Sequence, residues 1–306
     1  MTRLILRRVV QLLPVLVGVL ILAFAVTRLT PGDPAQIMAG QDSEPETVEL
    51  IREDMGLNEP VHVQFGIYVA DIFRGDLGRS YYLNRSVTSI IAVTLPRTAL
   101  LAAVAMAFTL LVGIPAGIAS ALRKDSWLDF GVRSGALLGV STPPFFAGLL
   151  AILLFANYLP WFPSYGYGTW RHLVLPGLTL GLFSVGLVMR LTRSTMLEVM
   201  SQNYIRTARA KGLSPGVTNY IHAFRNAAIP IVTITGLQLG GLLSGAVLTE
   251  TVFAYPGVGR LLVRSIFDRD FPVVQALILL IAVIYLLANL MVDIVYSVID
   301  PRIRYQ

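Results

Sequence analysis

The sequence lacks cysteine altogether and is poor in charge and in histidine. Without cysteine, disulfides, thiolate metal sites and cysteine nucleophiles are excluded. Three histidines stand far apart at His62, His172 and His222, without the spacing of a metal site. Charged residues make up 14% of the 306 residues, against roughly 25% in a typical soluble domain. The chain therefore has too few charges to cover a water-facing surface.

Long uncharged runs account for most of the apolar residues, which are 55% of the chain. A membrane-spanning helix needs roughly 20 such residues. The first run is longer than the apolar core of a signal peptide, and no Ala-x-Ala cleavage site follows it, so we expect it to be retained. The sequence predicts an all-α membrane protein of six transmembrane helices, at Val9–Thr27, Thr98–Leu122, Ser134–Tyr158, Leu173–Met189, Asn226–Thr249 and Phe271–Val292.

The distribution of lysine and arginine predicts the orientation, because cytoplasmic loops are enriched in both. One side of the six-helix arrangement carries 14 basic residues, whereas the two short segments on the other side carry 4. We expect the basic side, with both termini, to be cytoplasmic. This asymmetry explains the net charge of +6, so we expect no nucleic-acid partner.

The segment after the first span predicts a small extracytoplasmic region. It holds 6 basic and 10 acidic residues, and Pro31, Gly32 and Pro34 stop the first helix. Helices are expected at Thr47–Met55 and Val61–Phe73. The region could be a lid over the outer mouth or a docking surface for an external partner. The expected divisions are an N-terminal transmembrane helix (1–28), this region (29–97) and a five-helix core (98–306).

The cytoplasmic loop 193–228 contains a short helix with strong end signals. Asn203 is a good N-cap, Gly212 suits the left-handed position after a helix, and Ser214-Pro215 starts a new helix. A helix of two turns is marginal alone in water, so another surface should hold it. That surface could be a cytoplasmic partner or anionic lipid headgroups. For a partner, we expect small Ala208 and Ala210 to allow close approach, Tyr204 and Ile205 to enter an apolar cleft, and Arg206, Arg209 and Lys211 to meet acidic groups.

Few ionisable residues lie in the predicted spans. Glu250 and Asp293 stand near helix ends, where anchoring or interhelix hydrogen bonds are their expected roles. We find neither a relay of buried acids and histidines nor an inverted repeat, which a secondary transporter would use. The chain also lacks a Gly-x-x-x-x-Gly-Lys-Ser/Thr loop, so it should not hydrolyse ATP. If it transports a solute, the energy should come from another subunit.

Several motifs, in order along the chain, resemble the permeases of ATP-binding-cassette (ABC) importers for dipeptides and oligopeptides. Ala208, Ala210 and Gly212, followed by Ile229-Pro230, stand at the places of that family's cytoplasmic signature. Asn203 stands where an acidic residue is usual. The other resembling stretches are Leu29–Pro34, which resembles the first of two permeases, Gly75–Ser80, His172–Pro176, Tyr204–Leu213, Glu250–Gly257 and Asp300–Arg302.

The resemblance implies a complete transport machine in the inner membrane of a prokaryote. It implies a type I ABC importer permease fold, a second homologous permease, two cytoplasmic ATPase subunits that bind ATP and Mg²⁺, and an extracytoplasmic solute-binding protein that delivers peptide. This chain would hold no cofactor and would touch membrane lipid. The alternatives are a nickel or other small-solute permease of the same family and, from a different class, an ion-coupled secondary transporter. The implied ATPase-coupling helix is Asn203, Tyr204, Ile205, Arg206, Thr207, Ala208, Arg209, Ala210, Lys211 and Gly212, and the outer gate or docking candidates are Glu250, Tyr255, Pro256 and Gly257.

Overall fold

The computed structural model describes residues 2–29, 32–40 and 43–299, and these residues form helices joined by short connections. The predicted motif Asp300–Arg302 and the residues Thr30 and Pro31 lie outside the described residues. The α-helices are α1 (Thr2–Leu29), α2 (Pro34–Ala39), α3 (Pro45–Asp54), α4 (Val61–Phe73), α5 (Val87–Leu122), α6 (Trp127–Ser141), α7 (Pro144–Ala151), α8 (Arg171–Met200), α9 (Asn203–Ala210), α10 (Arg225–Val252), α11 (Val258–Phe267) and α12 (Phe271–Ile299). Two π-helical segments, Ile152–Tyr158 and Val217–Phe224, continue α7 and lead into α10.

Within the described residues, four helices are long and apolar enough to cross a membrane by themselves. Two bent helix pairs bring the number to six if each pair forms one span, which agrees with the predicted six. The second span begins at Val87 rather than at the expected Thr98, so α5 has 36 residues and is about 54 Å long. Its first turns therefore extend into the segment predicted to be extracytoplasmic.

The third predicted span is a broken helix rather than a straight one. α6 ends at Ser141, and α7 begins at Pro144 with a bend of 107° between the two parts. Neither Pro143 nor Pro144 has a backbone N–H to donate, and proline disfavours helical backbone in the residue before it. A smaller bend of 51° separates Val217–Leu242 from Ala246–Val252 in the fifth span.

The packing of α5 against α8 is the most extensive helix contact in the fold. Small residues allow this close approach, as is common between membrane helices. A Cβ atom added at Gly117 of α5 would lie 2.6 Å from the Cβ atom of Thr192 in α8. Likewise, a Cβ atom at Gly186 of α8 would lie 2.5 Å from the carbonyl oxygen of Ala136 in α6. α10 packs against α8 and α12, and α1 lies along α12.

The two ends of α5 lie in separate apolar clusters. Val87 and Ile91 pack with Val258, Val273 and neighbouring residues of α11 and α12. We call this end of the fold, which the sequence predicts to be extracytoplasmic, the outer end. At the other end, Ile118 and Ala121 pack with residues of α8, α9 and α10. The helical rise from Val87 to Ile118 therefore separates the two clusters by about 46 Å along α5.

The small region between α1 and α5 packs on the outer end of the bundle. Asp33 caps α2, accepting a hydrogen bond from the backbone N–H of Ala35 at 3.0 Å, and forms an ion pair with Arg52 of α3. α4 has the bounds that the sequence predicts, Val61–Phe73, and its Phe65 ring lies 5.4 Å from that of Phe24 in α1. The loop after α4 is joined to the start of α12 by a hydrogen bond from Ser80 to Asp270.

Candidate functional site

Helix α9 is the short helix predicted in the loop 193–228, but its N-cap differs from the prediction. The N-cap is Gln202, whose extended backbone (φ −70°, ψ 150°) precedes the first helical residue, Asn203. Gln202 makes no side-chain capping hydrogen bond, and the Asn203 carbonyl instead accepts a hydrogen bond from the Thr207 hydroxyl at 3.1 Å. The N-terminus of α9 therefore depends on tertiary contacts rather than on a capping side chain.

The C-terminus of α9 has the geometry that Gly212 predicts. Gly212 adopts φ +77°, and its N–H donates to the carbonyl of Arg209 at 3.0 Å, while the N–H of Leu213 donates to that of Ala208 at 3.3 Å. These paired bonds form a Schellman motif, for which glycine is the preferred residue. The predicted cap Ser214 is confirmed, because its Oγ accepts from the N–H of Val217 at 3.4 Å.

One face of α9 is buried against the helix bundle. Ile205 is 0% exposed and packs with Ile118, Met196 and Ala223 of three neighbouring segments, and Ala208 is buried one turn later. The prediction that Ile205 enters a cleft of a partner, and that Ala208 allows a partner to approach, is therefore wrong. The spacing of these two residues by three positions is the sequence signal that indicates their shared inward face.

The opposite face of α9 is exposed and basic. Tyr204 is 44% exposed, and Arg206, Arg209, Ala210 and Lys211 are exposed as well. Within the described residues, these three cations have no carboxylate partner. Sequence reasoning missed two exposed apolar side chains on the segment that follows α9. On the adjacent π-helical segment, Tyr220 and Ile221 are each 56% exposed. We call Tyr204, Arg206, Arg209, Ala210, Lys211, Tyr220 and Ile221 the docking face.

A buried ion pair holds the helices beside the docking face. Asp129 of α6 is almost fully buried and accepts hydrogen bonds from Nε and Nη2 of Arg193 in α8, at 2.6 and 2.8 Å. The Ser120 hydroxyl of α5 donates to the same carboxylate at 2.5 Å. This bidentate pair joins three helices at the start of the loop 193–228. Sequence analysis did not predict this pair, because Asp129 and Arg193 stand 64 positions apart.

At the outer end, Glu250 is buried and caps helix α11. Its Oε2 accepts hydrogen bonds from the backbone N–H groups of Gly259 and Arg260, at 2.7 and 3.1 Å. Thr98 of α5 donates to Glu250 Oε1 at 2.6 Å and accepts from the N–H of Val258 at 2.8 Å. The two side chains thus satisfy three amide groups that the start of a helix leaves unpaired. The expected anchoring role of Glu250 is confirmed.

The turn between α10 and α11 is packed tightly around Glu250. Tyr255 is fully buried, and its hydroxyl donates to the Arg97 carbonyl at 3.1 Å. Burial raises the pKa of the Tyr255 phenol to about 12, so the phenol keeps the proton of this bond. A Cβ atom at Gly257 would lie 2.2 Å from Glu250 Oε1. Glu250, Tyr255 and Gly257 are buried and Pro256 is half-buried, so they form a structural joint and not an exposed docking surface.

The two sites have different chemical capacities. The docking face offers cations and apolar side chains to an external surface, whereas the joint at Glu250 fixes α11 to α5 and α10. Among the described residues, no group of three or more histidine, aspartate or glutamate side chains is placed to hold a metal ion.

Two family profiles cover nearly the whole chain. Residues 113–305 match the family described as binding-protein-dependent transport system inner membrane component, and residues 1–103 match the N-terminal region of such membrane components.

Curated relatives match the chain over its full length. The sequence is 48% identical to a putative peptide transport system permease protein of Brucella abortus, covering 100% of both chains. It is 42% identical to a dipeptide transport system permease protein of Alkalihalophilus pseudofirmus, with 98% of each chain covered, and 41% identical to a glutathione transport system permease protein of Salmonella typhi, with 99% of each covered.

A solved structure shares the fold at low sequence identity. A chain in the crystal structure of an amino acid ABC transporter with histidines superimposes with a TM-score of 0.53 and 15% identity, covering 69% of this chain and 94% of the other. This likeness supports a type I permease fold.

Proposed function

This chain belongs to the family of binding-protein-dependent transport system inner membrane components, and we propose that it conducts short peptides across the cytoplasmic membrane. It is a multi-pass membrane permease and not an enzyme. The names of its relatives, which specify peptides, dipeptides or glutathione, support peptides as the solute, because glutathione is itself a tripeptide. In this proposal an extracytoplasmic binding protein delivers di- or oligopeptides to a path between this chain and a second, homologous permease.

The arrangement of α9 is the observation that carries the proposed coupling to ATP hydrolysis. Ile205 and Ala208 hold the helix against the bundle, so Tyr204, Arg206 and Arg209 face outwards with no partner among the described residues. A protein groove with acidic groups at its rim and an apolar floor would complement this docking face. We assign that groove to an ATPase subunit, two of which would bind ATP and Mg²⁺.

In this mechanism, α9 transmits force as a rigid element. When ATP binding draws the two ATPases together, each would displace the docking face that it holds. Ile205 packs against residues of α5, α8 and the segment before α10, so displacement of α9 would reach the ends of three long helices at once. Movement of these helices would open the peptide path to the outside, and release of ADP would reverse it. The docking face and the termini would then be cytoplasmic, and α2–α4 extracytoplasmic.

Charge reversal at the docking face tests this proposal. We expect the double variant Arg206→Glu/Arg209→Glu to insert and fold normally, because both side chains are exposed, but to lose most ATPase co-purification and labelled-dipeptide uptake. Arg123→Glu is the matched control, since Arg123 is an exposed arginine of the adjacent α5–α6 turn. Unchanged uptake and ATPase recovery in the double variant would contradict the docking assignment and favour α9 lying on lipid headgroups.

A further inference from the structure

A cavity of about 530 Å³ lies at the outer end of the fold, remote from the docking face. Its walls come from the end of α1, from α2 and α4, from the loop after α4, and from the start of α12. Leu77 and Ala276 belong both to its wall and to the outer apolar cluster, which fixes its position at the Val87 end of α5. The cavity is partly open and has an apolar lining interrupted by polar groups.

Two of these polar groups are buried and have no hydrogen-bond partner among the residues that the structure describes. Gln64 uses its amide nitrogen fully, donating to the carbonyls of Leu57 at 3.0 Å and Glu59 at 2.7 Å. This fixes the orientation of the amide, so Gln64 Oε1 is an acceptor, and it has no donor. The Tyr68 hydroxyl, one turn further along α4, is also buried without a partner. Buried polar atoms in native proteins are nearly always hydrogen-bonded, so two such atoms one helical turn apart, on residues that line one cavity, point to a polar partner that this part of the molecule takes up.

A cation also lies close to the aromatic side chains of this cavity. The Arg28 guanidinium lies 5.1 Å from the centre of the Phe24 ring, and the Tyr68 ring lies 5.8 Å from that ring. Within the described ranges, Arg28 has no carboxylate ion pair. The carboxylate of Asp71, on α4, also lines the cavity. A cation that can receive an anion and acceptors for an N–H donor therefore lie near Phe24 in the wall of one cavity.

We propose that this cavity binds a small zwitterion that carries a primary ammonium group close to an anionic group. The ammonium group donates to Gln64 Oε1 and to the Tyr68 oxygen, and the carboxylate or phosphate lies on Arg28. Two sources supply this chemistry: a free short peptide and the headgroup of phosphatidylethanolamine. The site is separate from the docking face, and it does not depend on which solute the permease conducts.

Calorimetric titration of the full-length chain, purified in its complex and held in phosphatidylcholine nanodiscs, tests the proposal. The probes are glycerophosphoethanolamine and dialanine. Their matched controls are glycerophosphocholine and N-acetyl-dialanine, which keep the anionic group but lack the ammonium N–H. We expect at least one probe to bind, and its control to bind about tenfold more weakly or not at all, because a hydrogen bond from a charged donor is lost. Binding of the first probe alone identifies a lipid site, and binding of the second alone a solute site.

Variants locate the binding within the cavity. Tyr68→Phe removes only the unpartnered hydroxyl, so we expect normal thermal stability with about tenfold weaker probe binding. Tyr82→Phe is the control, because Tyr82 lies in the same region, is exposed, and is not part of the cavity wall. Any of three results would overturn the proposal. Neither probe binds, the probes bind no more tightly than their controls, or the affinity is unchanged in Tyr68→Phe.

Discussion

At the scale of single residues, Glu250 shows how a carboxylate near the end of a membrane span can serve structure. It accepts hydrogen bonds from two amide groups at the start of α11 and from the hydroxyl of Thr98. An anionic side chain is favourable at that end of a helix, because the unpaired N–H groups carry partial positive charge. The side chain therefore sets the position of α11 relative to α5 and α10.

Removing the hydroxyl of Thr98 should weaken this joint. Thr98→Val keeps the shape of the buried side chain but leaves the N–H of Val258 without its acceptor and deprives Glu250 of one donor. We expect a loss of stability of about 1–3 kcal/mol, the usual effect of leaving a buried polar group unpaired. Thermal unfolding in detergent measures it. Thr88→Val, at an exposed threonine of the same helix, is the control, and equal unfolding temperatures for the two variants would contradict the role of Thr98.

Residue-level prediction from the sequence succeeded where the signal is local. The left-handed Gly212 and the cap Ser214 follow from neighbouring residues alone. The partners of Glu250 and Arg193 could not be predicted, because they are supplied by distant segments: Thr98 stands 152 positions from Glu250, and Asp129 stands 64 from Arg193. From the sequence alone, an anchor or interhelix hydrogen-bond partner was the expected role of Glu250, and part of a gate was the other candidate role.

At the scale of single elements, α9 is a short helix whose two faces have different functions. On the inward face, Ile205 belongs to the apolar cluster and Ala208 is buried. Ala210 lies on the docking face. The two alanines therefore differ in the effect that a larger side chain should have, although they are two positions apart in the same helix.

Enlarging each alanine should separate stability from coupling. Ala208→Leu overfills a buried position, so we expect it to lower the free energy of unfolding by about 1–3 kcal/mol and to displace α9. Ala210→Leu should leave stability within about 0.5 kcal/mol, because the position is exposed, and yet reduce ATP-driven uptake by obstructing the docking face. Thermal unfolding and dipeptide uptake of the two variants check this. Normal uptake with Ala210→Leu would contradict close approach of a partner there.

Element boundaries were predictable where strong breakers lie in the sequence. The bounds of α4 were predicted to the residue, because Pro60 precedes it and glycine follows it at Gly75. The start of α5 was misplaced by eleven residues. Pro96 and Arg97 suggest that the helix begins after them, whereas α5 continues through both residues. The pair Pro143 and Pro144 marks the site of the break in the third span, but two prolines alone do not determine its angle of 107°.

At the scale of the whole molecule, the bundle connects the docking face at one end with the joint at Glu250 near the other end. α5 reaches from the cluster around Ile205 to Thr98 and then to the outer cluster around Val87. In the proposed importer, a displacement of α9 would therefore tilt α5 and carry α11 with it through Glu250. The number of spans could be predicted from apolar runs alone, whereas this connection depends on contacts that only the folded chain provides.

A single-cysteine cross-linking experiment on α9 tests the proposed contact with an ATPase subunit. The chain has no native cysteine, so one substitution introduces a unique thiol. The substitution Ala210→Cys would give the chain a single thiol, and a short thiol-to-amine cross-linker would be added to native membranes. We predict a cross-linked product with an ATPase subunit, identified by mass spectrometry and enhanced when ATP is bound. Ala208→Cys, buried against the bundle, should give none. If Ala210→Cys forms no such product while a lipid-soluble thiol reagent labels it, α9 lies on the membrane and the coupling assignment is wrong.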